Sequence, residues 1–525
     1  MNRNLTSTPL GNNLLLRTDS YKVSHWMQYP PGTQTVYSYI ESRGGIFSHS
    51  LFFGLQAYLR EYLQTPVTLA DVEEAAALMA VHGEPFNREG WLRLIEKHGG
   101  LMPVRIRAVP EGSVLPVHNV LATIENTDPE FFWVTSFLET ELLRAIWYPT
   151  TVATLSAAAR TTLLRYLEAT CDDPQGQIAF RLHDFGARGV SSLESAALGG
   201  MAHLVNFMGT DTLAALVAAR RYYDCDVAGF SIPAAEHSTI TGWGREHEAD
   251  AYSNMIDQFG KPGATFAVVS DSYDIFNACA RIWGSELKAK VVASGATLVV
   301  RPDSGDPAET TLKVAQILAE RFGTTTNAKG FRVLNNVRII QGDGVNLDSL
   351  RLCLSNFFHN GFSTENISFG MGGGLLQQVN RDTMQWAMKS SAMQVNGEWR
   401  DVYKSPVGDV GKASKKGRLA LVKNARGEVQ TLREEALSAG QSDLLQTVFE
   451  NGRIVESTTF EAVRERAAAG VNQFITSRAV CTGHRVLPSA NVPRPAASSF
   501  ISLRGAPGAL CTMGAAVVLA DQTRR

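Results

Sequence analysis

Short apolar runs alternate with helical patterns through residues 151–383, which predicts an α/β fold built as an irregular, about seven-stranded parallel α/β barrel. A second α+β domain, assembled from residues 14–150 and 384–474, is expected beside it, with a flexible extension over 475–525. Three observations carry this reading: the repeated run–loop–helix grammar, the helix-start signals inside it, and the incomplete look of both flanks.

The runs are "IAFRLH" (178–183), "HLVNF" (203–207), "DVAGFSI" (226–232), "TFAVVS" (265–270), "TLVVR" (297–301), "VRIIQ" (337–341) and "ISFGM" (367–371). Most lead through a loop into a helical pattern such as "AETTLKVAQILAERF". Asp306-Pro307-Ala308-Glu309 supplies an acidic N-cap, a first-turn proline and a capping glutamate, and Ser191-Ser192-Leu193-Glu194 a Ser-x-x-Glu start. A doubly wound open sheet is the competing architecture. In both, the C-terminal strand ends form the functional rim.

The flanks mix strands ("VYSYIESR", "VRIRAVPEGSVLPV") with helices, and Asn396-Gly397 signals a hairpin. From about Ile475 the chain turns rich in Ala, Pro, Ser and Gly without periodicity.

The 525 residues allow two or more domains, and 44% hydrophobic with 19% charged content is that of an ordinary globular protein. A net charge of −2 argues against chain-wide attraction to nucleic acid or membranes. Six scattered cysteines form no CxxC pair, which fits a reducing compartment. There is no leader-like apolar run at the start and no stretch of the ~20 apolar residues that a membrane span needs. A cytoplasmic protein is expected.

The groups after each run point to a site. They are His183, Asp184, Phe185 and Arg188; then Gly209, Thr210 and Asp211; then Glu236 and His237; then Asp271 and Asp274; then Arg301, Asp303 and Asp306. Gly342-Asp343-Gly344 and Gly372-Gly373-Gly374 complete the series. Taken singly, each has an ordinary explanation: a loop histidine, a helix cap, a sharp turn. Seven such loops on one rim imply an active site.

Bared glycine amides bind phosphate oxygens. Arg188, Arg301 and Arg381 offer bidentate contacts to them. Acids beside phosphates suggest Mg²⁺ held largely by the substrate's own oxygens. Phe185 is suited to stacking on a flat ring. The residues therefore describe a phosphorylated, sugar-containing substrate with a planar partner, and go no further.

The segments "TDSYKVSHWMQYPPGTQTVYSYIESR", "RLHDFGARGVSSLESAALGGMAHLVNFMGTDT", "SIPAAEHSTITGWGREHEADAY", "VVSDSYDIFNACARIWG", "RPDSGDP", "QGDGVNLDSL", "FGMGGGLLQQVNRD" and "KSPVGDVGKASKKGRL" resemble the nicotinamide phosphoribosyltransferase family, in the family's order from about residue 14 to 470. The resemblance implies condensation of nicotinamide with phosphoribosyl pyrophosphate, giving nicotinamide mononucleotide and pyrophosphate. It also implies ATP as co-substrate, Mg²⁺, and a homodimer with shared active sites.

By that likeness Phe185 and the partner subunit's Tyr21 sandwich the pyridine, with Asp19 in the same substrate-binding motif. Asp211 accepts from the carboxamide NH₂ and Arg301 meets its oxygen. Asp303 lies at the ribose and diphosphate, and Gly342, Asp343, Gly372, Gly373 and Arg381 lie around phosphates. Arg43, Lys389 and Lys404 reach across the interface, while the run Lys412-Ala-Ser-Lys415-Lys416 is either a further contact or a solvated loop. His237 matches the histidine that the family phosphorylates, with Glu236 or Asp271 orienting its ring. No metal ligand is assigned.

Asp211 would repel a carboxylate, which favours nicotinamide over the rival substrate nicotinate. A non-catalytic binder on the same fold is the other rival, and the retained His237, Asp303, Arg301 and Asp211 argue against it. Ala187 stands where family members carry a larger aromatic residue, which is expected to widen the tunnel beside the ring.

Overall fold

The computed structural model describes residues 12–404 and 414–476. Six parallel strands form one sheet, in the spatial order Gly209–Thr210, Leu182–Asp184, Ile367–Met371, Val337–Gln341, Thr297–Arg301 and Thr265–Val269. The segment after residue 228 touches both edges: Phe230 bridges Gly209, and Ala234 bridges Ala267. It closes the ring as an irregular seventh member. Pro233, which has no N–H to give, leaves it bridged at single points rather than laddered.

Four expected strands stand where the sequence puts them. Their residues are buried on both faces, so they read as continuous β-branched runs. Ala267, Val299 and Ile340 point into the ring, packed with Phe185 and Ile232. Their neighbours Phe266, Val268, Leu298, Val300 and Ile339 join the larger core under the helices.

The first three runs need correction. Strand Leu182–Asp184 begins later than 178, because Asp173 caps a short helix, Pro174–Ile178, ahead of it. "HLVNF" is no strand; helix Leu193–Leu204 runs into it, and the strand is Gly209–Thr210. A short apolar run on a fully buried helix looks like a strand by periodicity alone. "DVAGFSI" ends in the bridged closing segment. The cap of helix Leu193–Leu204 is Ser192, accepting from the Ser195 N–H, one residue after the expected position. Asp306 caps helix Pro307–Phe322 as expected.

A second sheet has seven antiparallel strands, in the order Glu398–Asp401, Trp386–Val395, Thr33–Ser42, Val120–Asn126, Val104–Ala108, Gln446–Glu450 and Arg453–Ile454. Its central pairing joins the two flanks, with Tyr39 opposite Lys389. Asn396 and Gly397 both take positive φ (51° and 84°) in the tight turn between its first two strands. Helix Glu139–Thr170 ties the two cores together: Leu142 and Ile146 belong to this sheet's core, Val152 and Leu163 to the barrel's.

The last helix, Phe460–Thr476, extends past the expected start of the tail at 475. The rest of that tail, and Lys412 of the basic run, lie outside the described residues. Among the described residues Cys171, Cys225, Cys279 and Cys353 are free thiols, and no helix is long and apolar enough to cross a membrane.

Candidate active site

At the mouth of the ring, Phe185 follows strand Leu182–Asp184 and sits across from Gly370 on the neighbouring strand. A Cβ at Gly370 would lie 2.0 Å from two Phe185 ring atoms, so only glycine lets the phenyl ring occupy this position. The Arg301 guanidinium lies 5.7 Å from the Phe185 ring centroid. It is clamped by Asp303, with Nε donating to Oδ1 at 2.9 Å and Nη2 to Oδ2 at 2.8 Å. Gly342 leaves room beside both, since a Cβ there would be 3.0 Å from Asp303 Oδ1 and 3.2 Å from Arg301 Nε.

Asp211 opens the next loop. Its N–H donates to the Asp184 carbonyl at 3.0 Å, and its Oδ1 accepts from the Ser231 hydroxyl at 2.5 Å. Ser231 comes from the closing segment, so Asp211 is held by two separate parts of the ring. Asp184 itself is fully buried. Its Oδ1 accepts the Gly186 N–H at 2.7 Å. Burial raises its carboxyl to about 6, the Gly186 N–H works against that, and the Asp211 charge adds to it.

His237 opens the short helix His237–Thr241, directly after the closing segment. Its Nε2 lies 2.9 Å from Asp271 Oδ1, at the end of strand Thr265–Val269. Of the two acids, it is Asp271 that contacts the imidazole. Glu236 turns to its own helix instead, accepting from the Ser238 hydroxyl and taking part in a capping box with Thr239.

The glycine loops complete the rim. Loop 342–344 precedes helix Leu347–His359, whose first amides are taken by Asn346 Oδ1. Gln341 Nε2 holds the Asp343 carbonyl at 2.8 Å, and Gly344 has φ 66°. Gly373 has open space on its Cβ side, and a Cβ on Gly189 would meet the Gly373 N–H at 3.3 Å. Loops 185–189 and 372–373 therefore face each other closely, with Arg188 exposed on the first.

The remaining expected residues form a second group on the antiparallel sheet. Lys389 has its ammonium shifted below the usual lysine value, first by burial and then by Arg43, Lys22 and Arg381, against the pull of Glu139. Arg43 Nε donates to the buried Glu41 at 2.9 Å, and Lys415 binds the same carboxylate. That contact makes Lys415 a structural partner of Glu41; Lys416 instead stacks over Tyr403 at 3.7 Å. Tyr21 is 56% exposed on the helix Ser20–Met27, and Asp19 accepts from Thr140. Lys404 is exposed, its N–H bound to Ser414. Among the described residues no hydrogen bond, ion pair or ring contact links Tyr21, Arg43 or Lys389 to Phe185, Asp211 or His237.

A cleft of about 980 Å³ lies apart from the barrel mouth. It lies behind the loops, lined by Arg17, Tyr62, Glu141, Leu193, Leu213 and Val217. The chemistry-bearing residues gather at the mouth, so we assign the site there. Sequence reasoning missed Ser231, Gly370 and the role of Asp184. Only the adjacency of Asp184 to Phe185 offered a signal.

The parallel barrel, with Phe185, Asp211, Arg301 and His237 at its mouth, belongs to the class of pyridine phosphoribosyltransferases, as its relatives show. The fold is shared with the nicotinate-nucleotide pyrophosphorylase of Pyrococcus furiosus (TM-score 0.56, 16% identity, 90% of this chain and 99% of that one). It is shared also with human nicotinic acid phosphoribosyltransferase (TM-score 0.53, 18% identity, 87% and 94%). The family model "Nicotinate phosphoribosyltransferase (NAPRTase) family" matches residues 180–453, and "Nicotinamide phosphoribosyltransferase, N-terminal domain" matches 13–106. A nicotinamide phosphoribosyltransferase of Xanthomonas campestris is 57% identical over 87% of this chain and 98% of its own length. One from Acinetobacter baylyi is 31% identical over 88% and 98%. The chain belongs to the nicotinamide phosphoribosyltransferase family and is an enzyme of it.

Proposed function

We propose that the protein joins nicotinamide to phosphoribosyl pyrophosphate, yielding nicotinamide mononucleotide and pyrophosphate in NAD salvage, with ATP hydrolysis coupled through a phosphohistidine at His237. The observation that carries the substrate choice is Asp211, fixed by Ser231 and the Asp184 carbonyl beside the Phe185 turn. A carboxylate there accepts from a carboxamide NH₂ and repels a carboxylate. Phe185 stacks on the ring, and Arg301, oriented by Asp303, meets the carboxamide oxygen. The pyridine nitrogen needs no base. It attacks C1 as the bond to pyrophosphate loosens, so the protein contributes positioning and cationic stabilisation of the leaving group.

Among the described residues no three metal-ligating side chains cluster. The donor set fits a Mg²⁺ ion that arrives on the diphosphate and is held mainly by its oxygens, with Asp303 offering only the lone pairs that Arg301 leaves. When bound, it would offset charge on the departing pyrophosphate. With Nε2 turned to Asp271, Nδ1 of His237 is the nitrogen presented to the γ-phosphoryl group of ATP. The N–P bond forms as the bond to ADP breaks, and water later releases phosphate.

That Tyr21, Arg43 and Lys389 make no contact with Phe185, Asp211 or His237 among the described residues supports sites shared between two copies. So do Leu193, Leu213 and Val217, exposed at 66–77% along the 980 Å³ cleft. We place the reaction in the cytoplasm. Product formation from nicotinamide and from nicotinate, each with and without ATP, tests the reading. A preference for nicotinate overturns the substrate assignment, and an ATP-indifferent rate overturns the coupling.

A further inference from the structure

We propose that Asp184 is the positioning residue of the pyridine pocket and a second source of its discrimination against carboxylates. The inference rests on the assignment of nicotinamide to Phe185 and Asp211. Asp184 ends strand Leu182–Asp184, paired with Met371 on one side and Thr210 on the other. From that one residue two arms extend. The side-chain Oδ1 accepts the Gly186 N–H at 2.7 Å and so fixes the turn that aims Phe185. The main-chain carbonyl accepts the Asp211 N–H at 3.0 Å and so fixes the start of the loop that aims Asp211.

The surroundings are shaped to admit this carboxyl group. A Cβ on Gly200 would come within 2.8 Å of Asp184 Oδ2, and one on Gly186 within 3.1 Å of Oδ1. Helix Leu193–Leu204 thus places a glycine where any larger residue would push the carboxyl away. No cation faces it. Its polar neighbours are the Gly186 N–H, the Thr212 hydroxyl, Asp211 and the Tyr148 phenol. Oδ2 and the Thr212 hydroxyl beside it each lack a partner of full hydrogen-bonding geometry. A buried carboxyl whose second oxygen has only the Thr212 hydroxyl beside it is costly to maintain for structure alone. Placed behind Asp211, its negative charge adds to the field that a substrate carboxylate meets and that a neutral carboxamide tolerates.

Two variants separate the roles. Asp184→Asn keeps an acceptor for Gly186 and removes the charge. It should lower the inhibition constant of nicotinate, measured in competition with nicotinamide and relative to the nicotinamide KM, by at least about three-fold. Asp184→Ala removes the acceptor and should raise the nicotinamide KM about ten-fold, with the phosphoribosyl pyrophosphate KM unchanged. An unchanged nicotinate constant in Asp184→Asn overturns the charge role. An unchanged nicotinamide KM in Asp184→Ala, or an equal rise for both substrates, overturns the positioning role. If Asp184→Ala does not fold, Gly200→Ala, which displaces the carboxyl, replaces it with the same expectation. Asp211→Asn measured in parallel isolates the underlying assignment: if it too leaves nicotinate discrimination intact, the pyridine pocket reading itself falls.

Discussion

His237 Nε2 and Asp271 Oδ1 lie 2.9 Å apart, with the imidazole half exposed and the carboxylate 4% exposed. A buried acid holding an accessible imidazole fixes which ring nitrogen faces solvent. Asp271→Asn should therefore sharply lower phosphoenzyme formation from γ-labelled ATP while ATP-independent synthesis survives. His237→Ala should abolish labelling altogether. Glu236→Gln should leave labelling intact, because Glu236 serves the helix cap; full loss of label in that variant would contradict the division of roles.

Asp184 should make the enzyme less stable than it would otherwise be at neutral pH. Its folded-state value of about 6 lies above the usual 3.8. The sign is that of a raised acid: the proton-bound form is favoured in the fold, so the penalty is absent below about 4. It builds as pH rises to about 6 and is complete above. A shift of this size corresponds to about 3 kcal/mol. Asp184→Asn should melt several degrees above wild type at pH 7.5 and at the wild-type temperature near pH 4, as read by calorimetry.

Gly370→Ala places a methyl 2.0 Å from the Phe185 ring. The strand backbone cannot yield that distance without leaving its ladder, so the ring must rotate away. The expected result is a rise in nicotinamide KM of about ten-fold or more, the loss of roughly one aromatic stacking interaction. Titration of nicotinamide at saturating phosphoribosyl pyrophosphate measures it.

Mixing two inactive variants tests whether sites are shared. Phe185→Ala disables the mouth group and Lys389→Ala the basic group on the other sheet. If each site takes one group from each copy, refolding the two together restores activity in hybrid dimers that neither variant shows alone. Absence of recovery, with hybrids demonstrated by differential tagging, would place both groups in one chain's site.

The sequence made the barrel legible where burial on both faces enforced β-branched runs, as in 297–301 and 337–341. It misled where a buried helix end, "HLVNF", carried the same composition. The closing segment was legible as an apolar run, 226–232, but not its irregularity: beside Pro233 it pairs only through isolated bridges, not a ladder. At the site, the residue types on the rim were readable, but partnership was not. Asp271 follows His237 by 34 positions and meets it only because the closing segment lies beside strand Thr265–Val269. Glu236, adjacent in sequence, points elsewhere. Ser231 and Gly370 carry no chemical signature of their own; their roles exist only through the groups packed against them.

The pairing of Thr33–Ser42 with Trp386–Val395 sets a condition on how the protein is made. As the chain leaves the ribosome, the first of these strands has one neighbour, Val120–Asn126, early on, and waits about 350 residues for the other. During that interval it presents an open strand edge to anything that can pair with it. Slower translation and a chaperone that covers this edge should therefore raise the yield of active enzyme.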